Sequence, residues 1–314
     1  MPGPRPQAGH LRGQIEACVA GIAVGDVLIG MRDLFRALRQ TRDRSTAEQW
    51  RRTACEEIRA HPVREWVHQD PFTAHAFRRP RGYPGDATLF DHIYGTGGTV
   101  RWPHPSTIAG KLYFFTTNTA SARAVRYQRA LVARLIDDAA AGSKSPRILS
   151  IGAGHLREIE LSRAAARAPF GRFVAVDQDA ASLEVVSADY AALGIEAVNM
   201  PVSALVKDDG FGRQFDLVYA AGLFDALEDA TAAKLVQAMF ESLRPGGTMM
   251  YTNFLPNIED VGYMEALMDW WLACRSEPQL RALAAGLPAE QVRSLTCTKD
   301  PDNNIAFVTI HRRS

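Results

Sequence analysis

Ile148-Leu-Ser-Ile-Gly-Ala-Gly-His-Leu-Arg-Glu158 is the stretch of sequence that decides the fold of this chain. Its opening apolar residues predict a buried β-strand, and the two glycines predict a tight turn that leads into a helix. Downstream, Phe173-Val-Ala-Val-Asp177 predicts a second strand that ends in a carboxylate. Glycines let a backbone approach a ligand closely, and such a carboxylate can accept ribose hydroxyl protons. Together the two stretches indicate a half-site for an adenosine-containing cofactor.

The same turn bears on which adenosine cofactor is bound. A dinucleotide fingerprint, GxGxxG, needs Gly or Ala at its third glycine place for close packing of helix on strand. Arg157 stands at that place and is too bulky, which argues against NAD. The S-adenosylmethionine (SAM) version is usually written GxGxG, and Gly152-Ala-Gly154-His-Leu156 supplies two of its three glycines, departing at Leu156. Taken alone, the turn is a weak indication of SAM.

From Arg147 onward the sequence alternates between strand and helix patterns, which is typical of a parallel sheet with crossover helices. Arg244-Pro-Gly-Gly247 predicts a turn that ends one helix and begins the fifth strand. Lys299–Asn303 predicts a hairpin, and hence an antiparallel pair on an otherwise parallel sheet. A further helix is predicted around Met264–Cys274. The first five strands are predicted near residues 147–151, 172–176, 195–199, 215–220 and 247–253.

The N-terminal part has a different pattern. Residues 1–9 are rich in Pro and Gly and predict a disordered tail. Residues 10–117 predict a helical lid domain, and residues 118–314 the cofactor-binding α/β domain. Within the lid domain, Ser45-Thr-Ala-Glu48 is a candidate capping box. The Gly-, Pro- and aromatic-rich segment 80–112 predicts a lid or pocket-wall loop.

Composition narrows the class of protein. The 314 residues are 46% hydrophobic and 23% charged with a formal net charge of +1, which disfavours a nucleic-acid binder. Four scattered cysteines without a CxxC pair predict a reducing, cytoplasmic location. No apolar run in the sequence is long enough to predict a membrane-spanning segment. His61, His68 and His75 recur every seven residues, but prolines interrupt any helix that would align them. We therefore expect neither a metal site nor a nucleic-acid or membrane partner.

Asp177, the Phe215-Asp-Leu-Val-Tyr219 strand, the Arg-Pro-Gly-Gly turn and the terminal hairpin together resemble the class I SAM-dependent methyltransferase fold over residues 147–311. The resemblance implies a Rossmann-like seven-stranded α/β sheet with a terminal antiparallel hairpin, here preceded by the helical lid domain. It implies that the glycine turn lines the methionine part of SAM, that Asp177 holds the ribose, and that the turn at 201–203 lies near adenine. The predicted cofactor-binding set is Gly152, Ala153, Gly154, Glu158, Asp177, Gln178, Val202, Ser203 and Ala220.

More of the chain resembles a bacterial subgroup of these enzymes. Its members are often labelled by similarity to a methyltransferase of 3-hydroxy fatty acid methyl ester signals, a label that states similarity and not a substrate. The matching pieces are Arg81-Gly-Tyr-Pro-Gly-Asp86, Asn118-Thr-Ala-Ser-Ala-Arg123, His155-Leu-Arg-Glu158, Ala221-Gly-Leu-Phe-Asp225 and Met268-Asp-Trp-Trp271.

Several candidate residues have two interpretations. Glu158 either complements the charge of a helix N-terminus or faces the α-ammonium of SAM. Tyr83 and Asp86 either flank an ordinary Pro-Gly turn or act in catalysis, Tyr83 by a cation–π contact with the sulfonium and Asp86 as base or amine ligand. Asp225 either caps a helix that begins near Ala226 or faces the acceptor. The predicted substrate pocket comprises Asn118, His155, Phe224 and Asp225.

Three functions remain open at this point. The leading hypothesis is methyl transfer from SAM to a small-molecule acceptor in secondary or signalling metabolism. The alternative is a SAM cyclase, in which the α-amine attacks its own γ-carbon and expels methylthioadenosine, giving azetidine-2-carboxylate. The third is a non-catalytic SAM-binding protein, which the intact glycines and ribose carboxylate disfavour.

Overall fold

The computed structural model describes residues 8–98, 100–167, 170–207 and 211–314. The chain divides into two compact units. The first comprises residues 1–123 and 257–271, and the second comprises residues 124–256 and 272–314. Most of the predicted tail, residues 1–7, lies outside the described residues, and the first helix begins at Ala8. The return of residues 257–271 to the first unit has no counterpart in the domain division predicted above.

The first unit is helical. No helix in the described ranges is both long and apolar enough to cross a membrane. A single π-helical turn, Thr53–Ile58, directly follows the third helix. The helices are α1 (Ala8–Ala23), α2 (Val27–Asp43), α3 (Ala47–Arg52), α4 (Val63–Val67), α5 (Pro71–Arg78), α6 (Ala87–Tyr94), α7 (Ile108–Thr116), the start of α8 (Ala120–Gly142), and α12 (Val261–Leu267).

The capping box of α3 lies one residue later than predicted. The Thr46 hydroxyl accepts the backbone N–H of Gln49 at 3.2 Å, and the Gln49 side-chain oxygen accepts the N–H of Thr46 at 3.0 Å. The predicted first residue, Ser45, instead donates its hydroxyl to the carbonyl of Thr41 at 2.8 Å. Ser45 therefore completes the end of α2, and the prediction was wrong by one position.

The segment 80–112 is not the continuous loop that was predicted. Asp86 begins α6 in an extended N-cap conformation, and Gly95 ends it with a left-handed φ of 69°. The Gly/Pro-rich residues thus flank an eight-residue helix. Because the composition of the segment as a whole is typical of a loop, it did not predict this helix. The helix predicted around Met264–Cys274 is also shorter, because α12 ends at Leu267 and Asp269 adopts a φ of 50°.

The second unit is built on a sheet. Across the described residues, seven strands pair in the order β3-β2-β1-β4-β5-β7-β6. The first five strands are parallel to one another, whereas β7 is antiparallel to both β5 and β6, as predicted. The strands are β1 (Arg147–Ile151), β2 (Arg172–Asp177), β3 (Ile195–Asn199), β4 (Phe215–Ala220), β5 (Leu243–Phe254), β6 (Val292–Lys299) and β7 (Ile305–Arg312). The helices between them are α9 (Ala180–Asp189), α10 (Val202–Leu205), α11 (Asp229–Ser242) and α13 (Glu277–Leu283).

The order of the strands places a crevice at the centre of this sheet. From β1 the chain adds β2 and β3 on one side, and then β4 and β5 on the other. In open α/β sheets, ligands bind outside the carboxyl ends of the strands at such a reversal. The neighbouring central strands are apolar, and Leu149, Val174 and Val218, which pair in register on one face of the sheet, are fully buried. The fold therefore holds the loops after β1, β2 and β4 on a rigid base.

Candidate functional site

The glycine turn after β1 is fixed to the next strand. The backbone N–H groups of Gly152 and Ala153 both donate to the carbonyl of Val176, at 2.9 and 3.0 Å. Gly152 has a φ of 67°, a conformation that residues with a side chain rarely adopt. A Cβ atom there would also lie 3.2 Å from Cβ of Leu223. The backbone and its surroundings both account for glycine at this position.

Leu156, at the third glycine place of the GxGxG pattern, adopts a left-handed backbone conformation. Its φ is 53°, the same left-handed region as Gly154, and its side chain is buried. The helix that follows is a single 3₁₀ segment, Arg157–Leu161, and not the α-helix that was predicted. It ends at Ser162, whose ψ of 125° is extended. The predicted helix is therefore a short segment of five residues.

Asp177 ends β2 and is bonded to the glycine turn. One carboxylate oxygen accepts the N–H of Gly154 at 2.8 Å, and the other accepts the N–H of Asp179 at 2.9 Å. Burial raises the pKa of Asp177, although these two hydrogen bonds oppose the shift. Each carboxylate oxygen retains a further lone pair, so the group can still accept ribose hydroxyls.

Glu158 is held by a residue that sequence reasoning missed. The Tyr219 hydroxyl, on the neighbouring strand β4, donates to Oε1 of Glu158 at 2.6 Å. Burial raises the pKa of Glu158 and also that of Tyr219. A tyrosine inside a buried strand usually finds a partner for its hydroxyl, which was the available signal. The partner itself lies too far along the chain for spacing to indicate it.

Asp225 does not cap a helix, so that interpretation was wrong. It lies in a 3₁₀ turn, Phe224–Ala226, and α11 begins only at Asp229. Its Oδ1 accepts the N–H of Phe254 at 2.6 Å, which joins the loop after β4 to the end of β5. Burial raises the pKa of Asp225 to about 7. Phe224 is fully buried and stacks on Tyr251 with ring centroids 4.7 Å apart.

Arg275 is a second residue that sequence reasoning missed. Its guanidinium donates to the carbonyl of Phe224 and to the side-chain oxygen of Asn253, both at 2.8 Å. It also donates to Asp229 at 2.8 Å. Arg275 thus joins the loop after β4 to β5 and to the start of α11. An isolated arginine in a segment without a regular pattern gave no sequence signal for this role.

The structure brings the predicted cofactor-binding residues to one edge of the sheet. The turn residues follow β1, Asp177 and Gln178 end or follow β2, and Ala220 ends β4. Val202 and Ser203 begin α10, after β3. His155 is buried within the glycine turn, whereas Gln178 and Ser203 are exposed. Since parallel strands end at the same edge, these residues surround one crevice.

The other predicted site residues lie in the first unit. Asp86 is buried, accepts the N–H of Leu89 at 2.8 Å and contacts Nε2 of His75 at 2.8 Å. Tyr83 is half-buried in the preceding turn. Asn118 is exposed and lines a cleft of about 650 Å³, formed by the start of α2, the loop around Trp102 and helix α7.

Metal-ligating side chains are not clustered in the part of the chain that the structure describes. No group of three or more His, Cys, Asp or Glu residues is placed there to hold an ion. The four cysteines, Cys18, Cys55, Cys274 and Cys297, are free thiols.

Comparisons with known proteins agree with this geometry. Residues 148–247 match the family described as a methyltransferase domain. A search of curated proteins finds no match. Among solved structures, a possible exported protein from Bordetella parapertussis aligns with a TM-score of 0.57 at 17% identity, covering 73% of this chain and 80% of that chain. At this identity the likeness concerns the fold alone.

Two further solved structures align less well. Magnesium protoporphyrin IX methyltransferase from Synechocystis PCC 6803, with bound S-adenosylhomocysteine, gives a TM-score of 0.47 at 13% identity, covering 73% of this chain and 95% of that chain. The N-methyltransferase NodS from Bradyrhizobium japonicum WM9, also with S-adenosylhomocysteine, gives 0.43 at 13%, covering 63% and 90%. The residues that match the family model include the glycine turn, Asp177 and strands β2 to β4. Residues 148–247 are therefore similar to a methyltransferase domain, and the seven-stranded sheet with its antiparallel terminal pair has the fold of SAM-dependent methyltransferases.

Proposed function

We propose that the protein transfers a methyl group from SAM to a small-molecule acceptor. The observation that carries the proposal is the hydrogen bond between Asp177 and the N–H of Gly154. It joins the ribose carboxylate to the turn that follows β1, inside the matched methyltransferase domain. When bound, SAM supplies a methyl carbon that its sulfonium already makes electrophilic.

The residues of the second unit would mainly bind and align the cofactor. Gly152, Ala153 and Gly154 would line its methionine part, and Asp177 would accept the ribose hydroxyls. Val202 and Ser203 would lie near the adenine. Alignment of reacting atoms and exclusion of water account for most of what a protein adds to such a displacement.

The small size of the acceptor is supported by two observations. A formal net charge of +1 is unlike the basic excess of nucleic-acid-modifying proteins. The cleft of about 650 Å³ in the first unit falls within the size range of small-molecule sites. Asn118, which we place in the acceptor pocket, lines this cleft.

Tyr83 and Asp86 are our proposed catalytic residues. Asp86 as the base would act on an acceptor whose nucleophile must lose a proton. Its carboxylate contacts Nε2 of His75 at 2.8 Å, and this contact fixes the orientation of the carboxylate. Asp86→Asn is expected to lower the turnover of acceptors that need deprotonation, and to leave SAM binding unchanged.

The test uses the purified full-length chain with SAM and mass spectrometry. We expect S-adenosylhomocysteine to form only when an acceptor from a panel of small amines, phenols and carboxylic acids is present. Formation of methylthioadenosine together with azetidine-2-carboxylate, without any acceptor, would instead establish the cyclase, in which the amine forms a bond to its γ-carbon, the carbon–sulfur bond breaks and the amine loses a proton. If calorimetry detects no binding of SAM, both reactions are excluded.

A further inference from the structure

Glu158 is a half-buried residue whose carboxylate forms no ion pair within the part of the chain that the structure describes. Its Oε1 accepts one hydrogen bond from Tyr219, and among the described residues no Arg, Lys or His forms an ion pair with it. Arg129 attracts it only through space. Removing a carboxylate from water is costly unless a charged or hydrogen-bonding partner compensates. Glu158 is therefore stabilised by two hydrogen bonds, from Tyr219 and from its own backbone N–H, and by the more distant Arg129, but not by an ion pair.

Glu160, two residues later, shows the ordinary arrangement. Arg129 pairs with it at 2.6 Å and Arg157 at 3.1 Å, and the Tyr190 hydroxyl donates to it at 3.2 Å. One tyrosine hydroxyl thus serves each glutamate, but only Glu160 receives cations from the protein. Of these two neighbouring glutamates, only Glu158, which lies just after the glycine turn, has no ion pair.

Tyr219 is a rigid donor. It lies in the central strand β4, opposite Ser150 of β1 and Met250 of β5, and only 1% of its surface is exposed. Because burial raises the pKa of Tyr219, its hydroxyl keeps the proton that it donates to Glu158. A free glutamate side chain would lose rotamer entropy on binding a ligand, and an anchored one has already lost it.

We propose that Tyr219 is a positioning residue which holds Oε1 of Glu158 so that Oε2 receives the α-ammonium of SAM. Besides the Tyr219 hydroxyl, this carboxylate accepts the backbone N–H of Glu158 itself, and it retains lone pairs that can accept from the ammonium. The ammonium would then form an ion pair with Glu158, as Arg129 does with Glu160. The inference rests on the proposed function, because the cofactor of that reaction is the ligand.

The experiment compares two probes by isothermal titration calorimetry on the full-length chain. S-adenosylhomocysteine carries the ammonium, and its deamino analogue keeps the adenosine, thioether and carboxylate without it. Charge-assisted hydrogen bonds correspond to roughly 10- to 100-fold in affinity. We expect Glu158→Gln to weaken S-adenosylhomocysteine by about that factor, Tyr219→Phe by about 10-fold, and neither change to alter the Kd of the deamino analogue.

Tyr190→Phe is the matched control, because it also removes a tyrosine hydroxyl that donates to a glutamate. It should leave the affinity for both probes unchanged. If Tyr219→Phe weakens both probes equally, its role is merely structural and the inference fails. If Glu158→Gln leaves S-adenosylhomocysteine binding intact, the inference fails while the proposed function stands. A wild-type chain that binds neither probe overturns both. Should Tyr219→Phe not fold, Glu158→Gln decides whether the ammonium lies at this carboxylate.

Discussion

Replacing Asp225 with asparagine should change how the stability of the protein depends on pH. Asp225 is buried at the carboxyl end of β4, and its Oδ1 accepts the N–H of Phe254 at 2.6 Å. Burial raises its pKa from 3.8 to about 7. The folded protein therefore favours the protonated side chain, which an asparagine amide imitates while keeping the oxygen that accepts from Phe254.

The size of the effect follows from the two pKa values. Each pKa unit corresponds to about 1.4 kcal/mol, so ionising Asp225 in the folded state costs about 4 kcal/mol once the pH is well above 7. The sign is fixed by the direction of the shift. The stabilisation is complete below about pH 4, declines as the pH rises, and is lost above about pH 7.

Urea denaturation of both proteins between pH 4 and pH 8 tests this reasoning. Other buried carboxyls titrate in the same range, among them Asp70, whose pKa burial raises to about 6. The difference between the two proteins cancels these contributions. Asp225→Asn should equal the wild type near pH 4 and exceed it by up to about 4 kcal/mol at pH 8. A difference that does not vary with pH would refute a raised pKa at Asp225.

Three other predictions follow from the backbone and the site. Asp177→Asn should weaken S-adenosylhomocysteine binding by roughly 10- to 100-fold in calorimetry, and an unchanged Kd would contradict a ribose role. Gly85→Ala should cost about 1–3 kcal/mol more than Gly82→Ala in urea denaturation. Both glycines have left-handed φ, but only at Gly85 would a Cβ meet Trp270, at 2.7 Å. Equal losses would show that packing there is loose. Leu156→Gly relieves a left-handed conformation worth about 1 kcal/mol but removes a buried side chain worth about 2–5 kcal/mol. Denaturation should show a net loss, and a stabilised variant would disprove the packing role.

Local sequence patterns predicted the second unit well because its strands are short apolar runs separated by turn residues. The turn after Ile151 could be predicted because glycine adopts left-handed conformations, and the position of Asp177 could be predicted from the length of the apolar strand that it ends. The parallel order and the terminal hairpin follow from the same alternation. These features are determined by residues that are close together in sequence, so they can be predicted from the sequence of one chain.

What could not be predicted depends on partners that are distant in sequence. Tyr219 and Glu158 are 61 positions apart, and neither residue indicates the other. Asp225 was interpreted as a helix cap because Asp before an apolar helix often is one, yet its partner is Phe254 of the next strand. The capping box was misplaced for a local reason. Ser45 and Thr46 both carry a hydroxyl group that could cap the helix, and in the structure Thr46 does so.

The return of residues 257–271 to the first unit has a consequence for synthesis. Glu265 on α12 accepts two hydrogen bonds from Arg42, at 2.6 and 2.9 Å, and one from the indole of Trp50 at 2.6 Å. These partners leave the ribosome more than 200 residues before Glu265 does. The helical unit thus cannot complete its core as a nascent N-terminal fragment, whereas a domain made of consecutive residues folds as it emerges. Fragments that stop near residue 123 should expose apolar surface and need chaperones.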